Sequence, residues 1–389
     1  MPATHKITFG GWYQRTTLHL SEIYEFLSNS NTYLNLDKSK IKHLHKQLNL
    51  SKVSREFGYL EFVKALTKDG IEIRYYEDGL YILELDTEDI TKAKLKLETY
   101  FNNNLGPAIN YIFSLGAPIP KVLANIKASH PTVVSFNKRQ PNATRIGVEF
   151  GEIYSKIITD DIGVFKTNEY IFIAHKPEAE LPITEFIENL IFFREFKDQL
   201  EKYLNVHRKV WVEIAEIKER KTVKPRDVFI LRGKLDSYQR TISLISNRIN
   251  QMSSYARTRK NIAQKAGADN LLVNLFQYRF EVLLDTLDYI KEIWKMTTDY
   301  VNSAIQVMIE IQNMATNKSI QSLTLITSVG VIAGLVGHLS RDVFPKVTLT
   351  GIMYLSLLIT IAGLINLAVR KIQSNIKRKL SFVERNEDI

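Results

Sequence analysis

Two long apolar runs close the chain. Ile320–Leu339 and Val347–Val369 contain no Asp, Glu, Lys or Arg, and only Ser340–Lys346 separates them. A helix needs about 20 apolar residues to cross the hydrocarbon core of a bilayer. The pattern therefore predicts a transmembrane hairpin: a first span over 320–339, an external loop over 340–346, a second span over 347–369 and a basic tail over 370–389. The alternative is a hairpin buried in a soluble protein, but runs this long and free of charge favour the membrane.

Upstream of the first run the period is helical. Asp269–Lys318 contains neither Pro nor Gly. Phe276, Phe280, Leu283, Leu287, Ile290, Trp294, Thr297, Val301, Ala304, Met308, Ile311 and Ala315 recur at alternating spacings of 4 and 3, a heptad seam that packs helix against helix. With no breaker between this stretch and the first apolar run, one continuous helix of 71 residues from Asp269 to Leu339 is expected, roughly 105 Å long at ~1.5 Å per residue. Residues 269–319 of it form a stalk. Beside the seam runs a polar stripe of Asp299, Ser303, Gln306, Glu310, Asn313 and Asn317. It is either a solvated outer face or the wall of a wet central axis in a symmetric bundle, since an ion needs oxygen ligands or water along its path.

Before the stalk, 183–268 reads as basic antiparallel helices: Ile183–Glu219, an interruption at Pro225, helix again from about Asp227 to Ile262, and a break at Gly267. Residues 1–182 read as a mixed α/β domain. Lys6–Tyr13 is an expected strand and Leu20–Leu27 a short helix. Ile71–Tyr76 and Leu80–Leu85 flank an Asp-Gly turn, a good hairpin signal. Thr87–Phe101 reads as helix, and Thr132–Phe136, Arg145–Phe150 and Tyr170–His175 as strands. Gly10-Gly11-Trp12 is expected to be a turn, because no phosphate-loop pattern surrounds it.

Charge and composition narrow the chemistry. There is no cysteine, which excludes disulfides and thiolate metal sites. The one close histidine pair, His43 and His45, sits in a polar helix-like stretch two residues apart, where the two do not share a face, so a solvated surface is expected. No nucleophile–base pair, carboxylate dyad or metal-ligand spacing stands out, and the chain is not expected to be an enzyme. MPATHKITFGGW lacks the apolar core of a signal peptide. The tail carries Arg370, Lys371, Lys377, Arg378 and Lys379, whereas the external loop has only Arg341 and Lys346 with Asp342. The positive-inside rule then puts both termini in the cytoplasm and the chain in the plasma (inner) membrane as a multi-pass protein.

Most of the net charge of +10 lies in Glu201–Lys260, with 15 Lys and Arg against 6 Asp and Glu. Arg257, Arg259 and Lys260, with Lys265 just beyond, are a candidate site for membrane lipid headgroups or a phosphate-bearing ligand. No nucleic-acid module is visible, so long nucleic acid is not an expected partner.

The element order, together with Thr316-Asn317, Leu323-Thr324 and Ala333-Gly334-Leu335-Val336-Gly337, resembles the CorA family of divalent-cation channels. The family has T-N-x5-L-T entering the membrane and A-G-I-Y-G-M-N leaving it. The resemblance implies an α+β cytoplasmic domain, stalk helices and a two-helix membrane hairpin, assembled as a funnel-shaped homopentamer whose first spans line the pore. Asn313, Asn317, Thr324, Thr327, Gly337 and His338 are the candidate pore residues. Mg2+ or another divalent cation is the implied ion. The chain departs from the family at the outer mouth, where Gly337-His338-Leu339 replaces Gly-Met-Asn; the missing Asn and the titratable His put the family's Mg2+ selectivity in question. These departures and the basic helices also resemble the CorA-like membrane effectors found beside type III CRISPR systems, which implies opening by a nucleotide second messenger. Three functions follow: a gated cation channel, a nucleotide-opened effector with the same pore body, and a membrane-anchored scaffold without a conduit.

Overall fold

The computed structural model describes residues 5–14, 19–32, 36–116, 132–136, 143–218, 220, 222–339 and isolated positions between 349 and 379. The chain divides into two compact units, residues 1–205 with 244–292, and residues 206–243 with 293–389.

Among the described residues, the first unit is organised by nine strands: β1 (His5–Trp12), β2 (Leu50–Phe57), β3 (Glu61–Thr67), β4 (Glu72–Tyr76), β5 (Leu80–Thr87), β6 (Thr132–Phe136), β7 (Ser155–Ile158), β8 (Ile162–Lys166) and β9 (Tyr170–His175). Their order is β2-β3-β4-β5-β1-β6-β9-β8-β7. All neighbours are antiparallel except β6 and β9. The β4–β5 hairpin forms where alternation predicts it, with Gly79 at φ 89° in the turn, a conformation that costs glycine little.

Helices α1 (Leu20–Asn29), α2 (Lys38–Gln47), α3 (Ile90–Tyr100) and α4 (Gly106–Gly116) belong to the same unit, with a π-helical turn at Phe101–Leu105 between α3 and α4. On that face Phe9 and Tyr81 pack against Phe101, with ring centroids 5.4 and 4.9 Å apart. The opposite face meets the long helices: Trp12 packs on Phe192 and Phe196 at 5.3 and 5.4 Å. Successive strand side chains alternate between faces, so Phe9 and Trp12 serve two different layers. An α+β sheet followed by long helices is the expected order.

Two local expectations fail for reasons visible in the packing. Gly10-Gly11-Trp12 closes β1 as strand and is not a turn. A Cβ on Gly10 would lie 2.6 Å from the Tyr81 carbonyl oxygen, and one on Gly11 would overlap the Tyr81 ring. The glycines are there for close approach of β5. Arg145–Phe150 lies in helix α5 (Ala143–Phe150) rather than a strand. Ile146 is buried and Val148 is 81% exposed, while Phe150 packs on Tyr170 and Phe172 at 5.3 and 5.2 Å. Apolar residues at 146, 148 and 150 satisfy a period of two, but only 146 and 150, four apart, share a helix face.

The remaining helices are α6 (Ile183–Lys218), α7 (Pro225–Lys265), α8 (Ala268–Phe276) and α9 (Phe280–Leu339), with a two-residue ribbon of β10 (Thr222–Val223) and β11 (Arg378–Lys379). Pro225 opens α7, as its missing N–H allows at a first helical position. The expected helix from Asp269 is not continuous, and α9 has 60 residues. Gln277 adopts φ 57°, and its N–H and that of Tyr278 donate to Val273 and Leu272, closing α8 with a left-handed cap. The Tyr278 ring, freed from the helix, stacks on Phe193 at 4.2 Å. Aromatic packing overrides a helical sequence here. Because a non-glycine residue pays for the left-handed conformation, Gln277→Gly should raise stability by about 0.5–1 kcal/mol, read from the denaturant midpoint of the purified protein. A loss of stability would show that the glutamine side chain holds the break.

Candidate functional site

The second unit is a helical bundle built on the heptad seam. Trp294, Thr297, Val301, Ala304, Met308 and Ile311 are all buried along α9; Ala315 lies outside the described side chains. Two hydrogen bonds set the direction of α7. Gln239 Nε2 donates to Asn302 Oδ1 at 2.7 Å, and Arg232 Nη1 to Gln312 Oε1 at 3.0 Å. The partner number rises on α9 as it falls on α7, so the helices are antiparallel. On α6, Trp211 stacks on Tyr300 at 4.4 Å, and the Lys218 ammonium lies 3.9 Å from the centroid of the Tyr300 ring. His207, Arg208, Trp211, Val212, Ile293 and Met296 line a mostly apolar groove of about 300 Å³. There burial, then the Arg208 charge, lowers the His207 pKa.

The polar stripe faces outward. Asp299, Ser303, Gln306, Glu310, Asn313 and Asn317 are all exposed, and Thr324 and Thr327 continue the row. The threonine hydroxyls of this row, and that of the neighbouring Ser328, turn back on their own helix: Thr324 donates to the Ile320 carbonyl at 2.9 Å, Thr327 to Leu323 at 2.6 Å and Ser328 to Thr324 at 2.7 Å. A hydroxyl that donates to its own backbone still offers oxygen lone pairs outward. Of the expected pore residues, Asn313, Asn317, Thr324 and Thr327 thus share one exposed face. The backbone of Gly337 and His338 is helical, but their exposure and the His338 side chain lie outside the description.

The backbone of α9 is helical through the first expected span, to Leu339. Among the described residues, no helix is long and apolar enough to cross a membrane; several side chains in 320–339, the loop 340–346 and much of 347–369 fall outside that description. The tail does return to the bundle. β11 pairs antiparallel with β10, Thr222 opposite Lys379 and Val223 opposite Arg378. Val223 is buried. With the same rise per residue on both helices, extending the α7–α9 register from Arg232 and Gln312 puts Pro225 at about the level of residue 319. The chain therefore passes Ile320 and comes back to nearly the same level by Arg378.

The expected basic patch dissolves in space. Arg257 and Lys265 are exposed, and Lys260 pairs with Glu281. Arg259 points the other way, into the interior of the first unit to which this stretch belongs, and is 1% exposed. Its Nε and Nη2 donate to Asp78 Oδ2 and Oδ1 at 2.5 and 2.9 Å, and its guanidinium lies 4.9 Å from the centroid of the Tyr76 ring. It serves Asp78 rather than a surface anion. His43 is exposed on α2, whereas His45 is half-buried, its Nε2 2.9 Å from the Leu27 carbonyl oxygen, and so is not simply solvated.

Around Arg259 lies a charged cluster that the sequence does not advertise. Arg74 Nη1 and the Tyr76 hydroxyl donate to Glu188 Oε1 at 2.8 and 2.5 Å, and Arg74 Nη2 is 2.7 Å from Glu84. Burial raises the Glu188 pKa, opposed by Arg74 and Arg259. Burial works against the charge of Arg259, but Asp78 and Glu188 outweigh it and its pKa rises. A cavity of about 250 Å³ opens onto Arg74, Tyr76, Glu188 and Arg259, and two exposed aromatics, Phe57 and Tyr59, also line it. Among the described residues, no group of three or more His, Cys, Asp or Glu is placed to hold a metal ion.

No family model matches the chain, and no curated protein matches it. Among solved structures it is similar to the complete structure of the CorA magnesium transporter from Methanocaldococcus jannaschii, at 11% identity and a TM-score of 0.21, covering 63% of this chain and 91% of that one. A likeness at that score carries no weight for fold or function.

Proposed function

We propose that this chain is an oligomeric membrane channel for cations, with the polar face of α9 turned toward an axis shared by several copies. The observation that supports it is the exposed polar row from Asp299 to Thr327. A lone protomer leaves this row uncovered. It supplies carboxylate, amide and hydroxyl oxygens at helical spacing, the groups a hydrated cation needs along a conduit. The apolar runs at 320–339 and 347–369 then form the membrane hairpin, and the return of the tail to β10 closes it on the side from which it leaves. Gly337 and His338 stand at the far mouth. Both termini are cytoplasmic in this reading, the copy number is the five that the sequence resemblance implies, and Mg2+ or another divalent cation is the cargo.

The test is flux in proteoliposomes. The wild type should pass a divalent cation down its gradient, and Gly337→Phe should stop it while leaving the oligomer intact by size-exclusion chromatography. Equal leak from both proteins would sink the channel reading in favour of an anchored scaffold.

A second reading has its own support. The cavity at Phe57, Tyr59, Arg74 and Glu188 offers aromatic faces beside donors and acceptors, the groups that hold a nucleobase. A nucleotide second messenger seated there would open the pore, as in the effector type. Calorimetric titration of the full chain with cyclic and linear oligonucleotide messengers tests it, and silence with all of them would remove it.

A further inference from the structure

The β10–β11 ribbon gathers cations that lie far apart in sequence. Antiparallel pairing sets Arg378 and Lys379 against Val223 and Thr222. Arg220 and Lys224 flank the same strand, and Arg226 is the second residue of α7. Among the described residues, five cationic ones thus meet on two short backbone segments. The carboxylates nearest in sequence are Glu219, next to Arg220, the exposed Glu216 on α6 and Asp227 in the first turn of α7, and Asp227 already has a partner. Lys218 is occupied by the Tyr300 ring. The ribbon lies at about the level of residue 319, where the charge-free run begins.

We propose that this ribbon is a clasp for the phosphate groups of anionic lipid headgroups, an inference that rests on the membrane reading of 320–369. Phosphate oxygens suit Arg and Lys by charge and hydrogen bonding. A basic cluster at the foot of a membrane span sits within the attraction of an anionic leaflet, a distance of about one Debye length. The clasp replaces the 257–265 segment as the lipid-directed site, because Arg259 is spent on Asp78 and Lys260 on Glu281. It also ties the lipid to the α6–α7 turn, so that headgroup binding and the seating of the tail reinforce each other.

The test uses the full chain in nanodiscs of phosphatidylcholine with one fifth phosphatidylglycerol, and native mass spectrometry of the lipid retained. Wild type should enrich phosphatidylglycerol over its bulk fraction. Each cation removed should weaken retention about five-fold, the equivalent of ~1 kcal/mol near a charged leaflet, so Arg378→Gln/Lys379→Gln and Arg220→Gln/Lys224→Gln should both lose the enrichment. Arg257→Gln/Lys265→Gln should keep it. Unchanged enrichment in the ribbon variants, or equal loss in the 257/265 control, would overturn the clasp. So would displacement of the lipid by millimolar inorganic phosphate, which would mark a site for a soluble anion. A protein that stays in the aqueous phase without detergent would instead overturn the membrane reading beneath it.

Discussion

Replacing Arg259 with methionine should destabilise the protein by about 3–5 kcal/mol, the usual cost of removing one partner from a buried ion pair. Asp78 is 4% exposed and takes both donors of Arg259. The same residue is the hub of the β4–β5 turn. Its Oδ1 accepts the Leu80 N–H at 3.1 Å, and its carbonyl accepts the Trp12 indole N–H at 2.8 Å. Without the guanidinium, Asp78 and Glu188 share a low-dielectric site with only Arg74 to offset them. The substitution thus removes an ion pair and loosens the seat of α7 on the sheet together. The additional change Asp78→Asn should recover part of the loss, because the uncompensated carboxylate is then gone. Chemical denaturation of the purified chain reads both. A cost below about 1 kcal/mol for Arg259→Met would mean that the cluster is wetter than its burial implies.

Trp294→Ala should cost a similar ~3–5 kcal/mol, now from cavity formation in the α9 seam. Trp294 is fully buried, with the His207 ring edge-on at 5.8 Å. Its indole N–H has no hydrogen-bond partner among the described residues. Trp294→Phe should therefore cost distinctly less than the alanine change, since it deletes an unsatisfied donor along with some volume. Equal losses for both variants would show that an unseen acceptor holds the indole. Thermal unfolding of the two variants side by side decides this.

The parts of the fold that sequence discloses are those with a strong period. The heptad seam reads directly, because a heptad over many turns leaves few alternatives, and eleven of its twelve expected positions are buried, Phe276 on α8 and the other ten on α9. The β4–β5 hairpin reads from Asp-Gly between alternating apolar residues. β2 does not, because it is an edge strand whose residues are all half-buried or exposed, and its Lys52, Arg55 and Glu56 blur the alternation. The break at Gln277 is carried by the contact of Tyr278 with Phe193, which no local pattern reports. The charged cluster is hidden for a different reason. Three cations in Arg257–Lys260 look like a surface, yet Ile249, Met252, Ala256, Arg259 and Ala263 fall at spacings of 3 and 4 and are all buried. Helical phase alone separates Arg259 from its neighbours, and that signal is present in the sequence. The Arg74–Glu188 pairing has no such signal, since 114 residues separate the partners.

The polar face of α9 is the element on which the functional account stands, and the absence of cysteine makes it directly accessible to experiment. Single cysteines at Asn313, Asn317, Thr324 and Thr327 would each be the sole thiol in proteoliposomes. A bulky charged thiol reagent added to the cytoplasmic side should block cation flux through the Asn313 and Asn317 variants, and through at least one of the threonine variants. It should spare a cysteine at Gln312, which lies to the side of that face beside Arg232. Flux that survives modification at all four positions, with labelling confirmed by mass, would place the stripe on the outside of the assembly and contradict the channel.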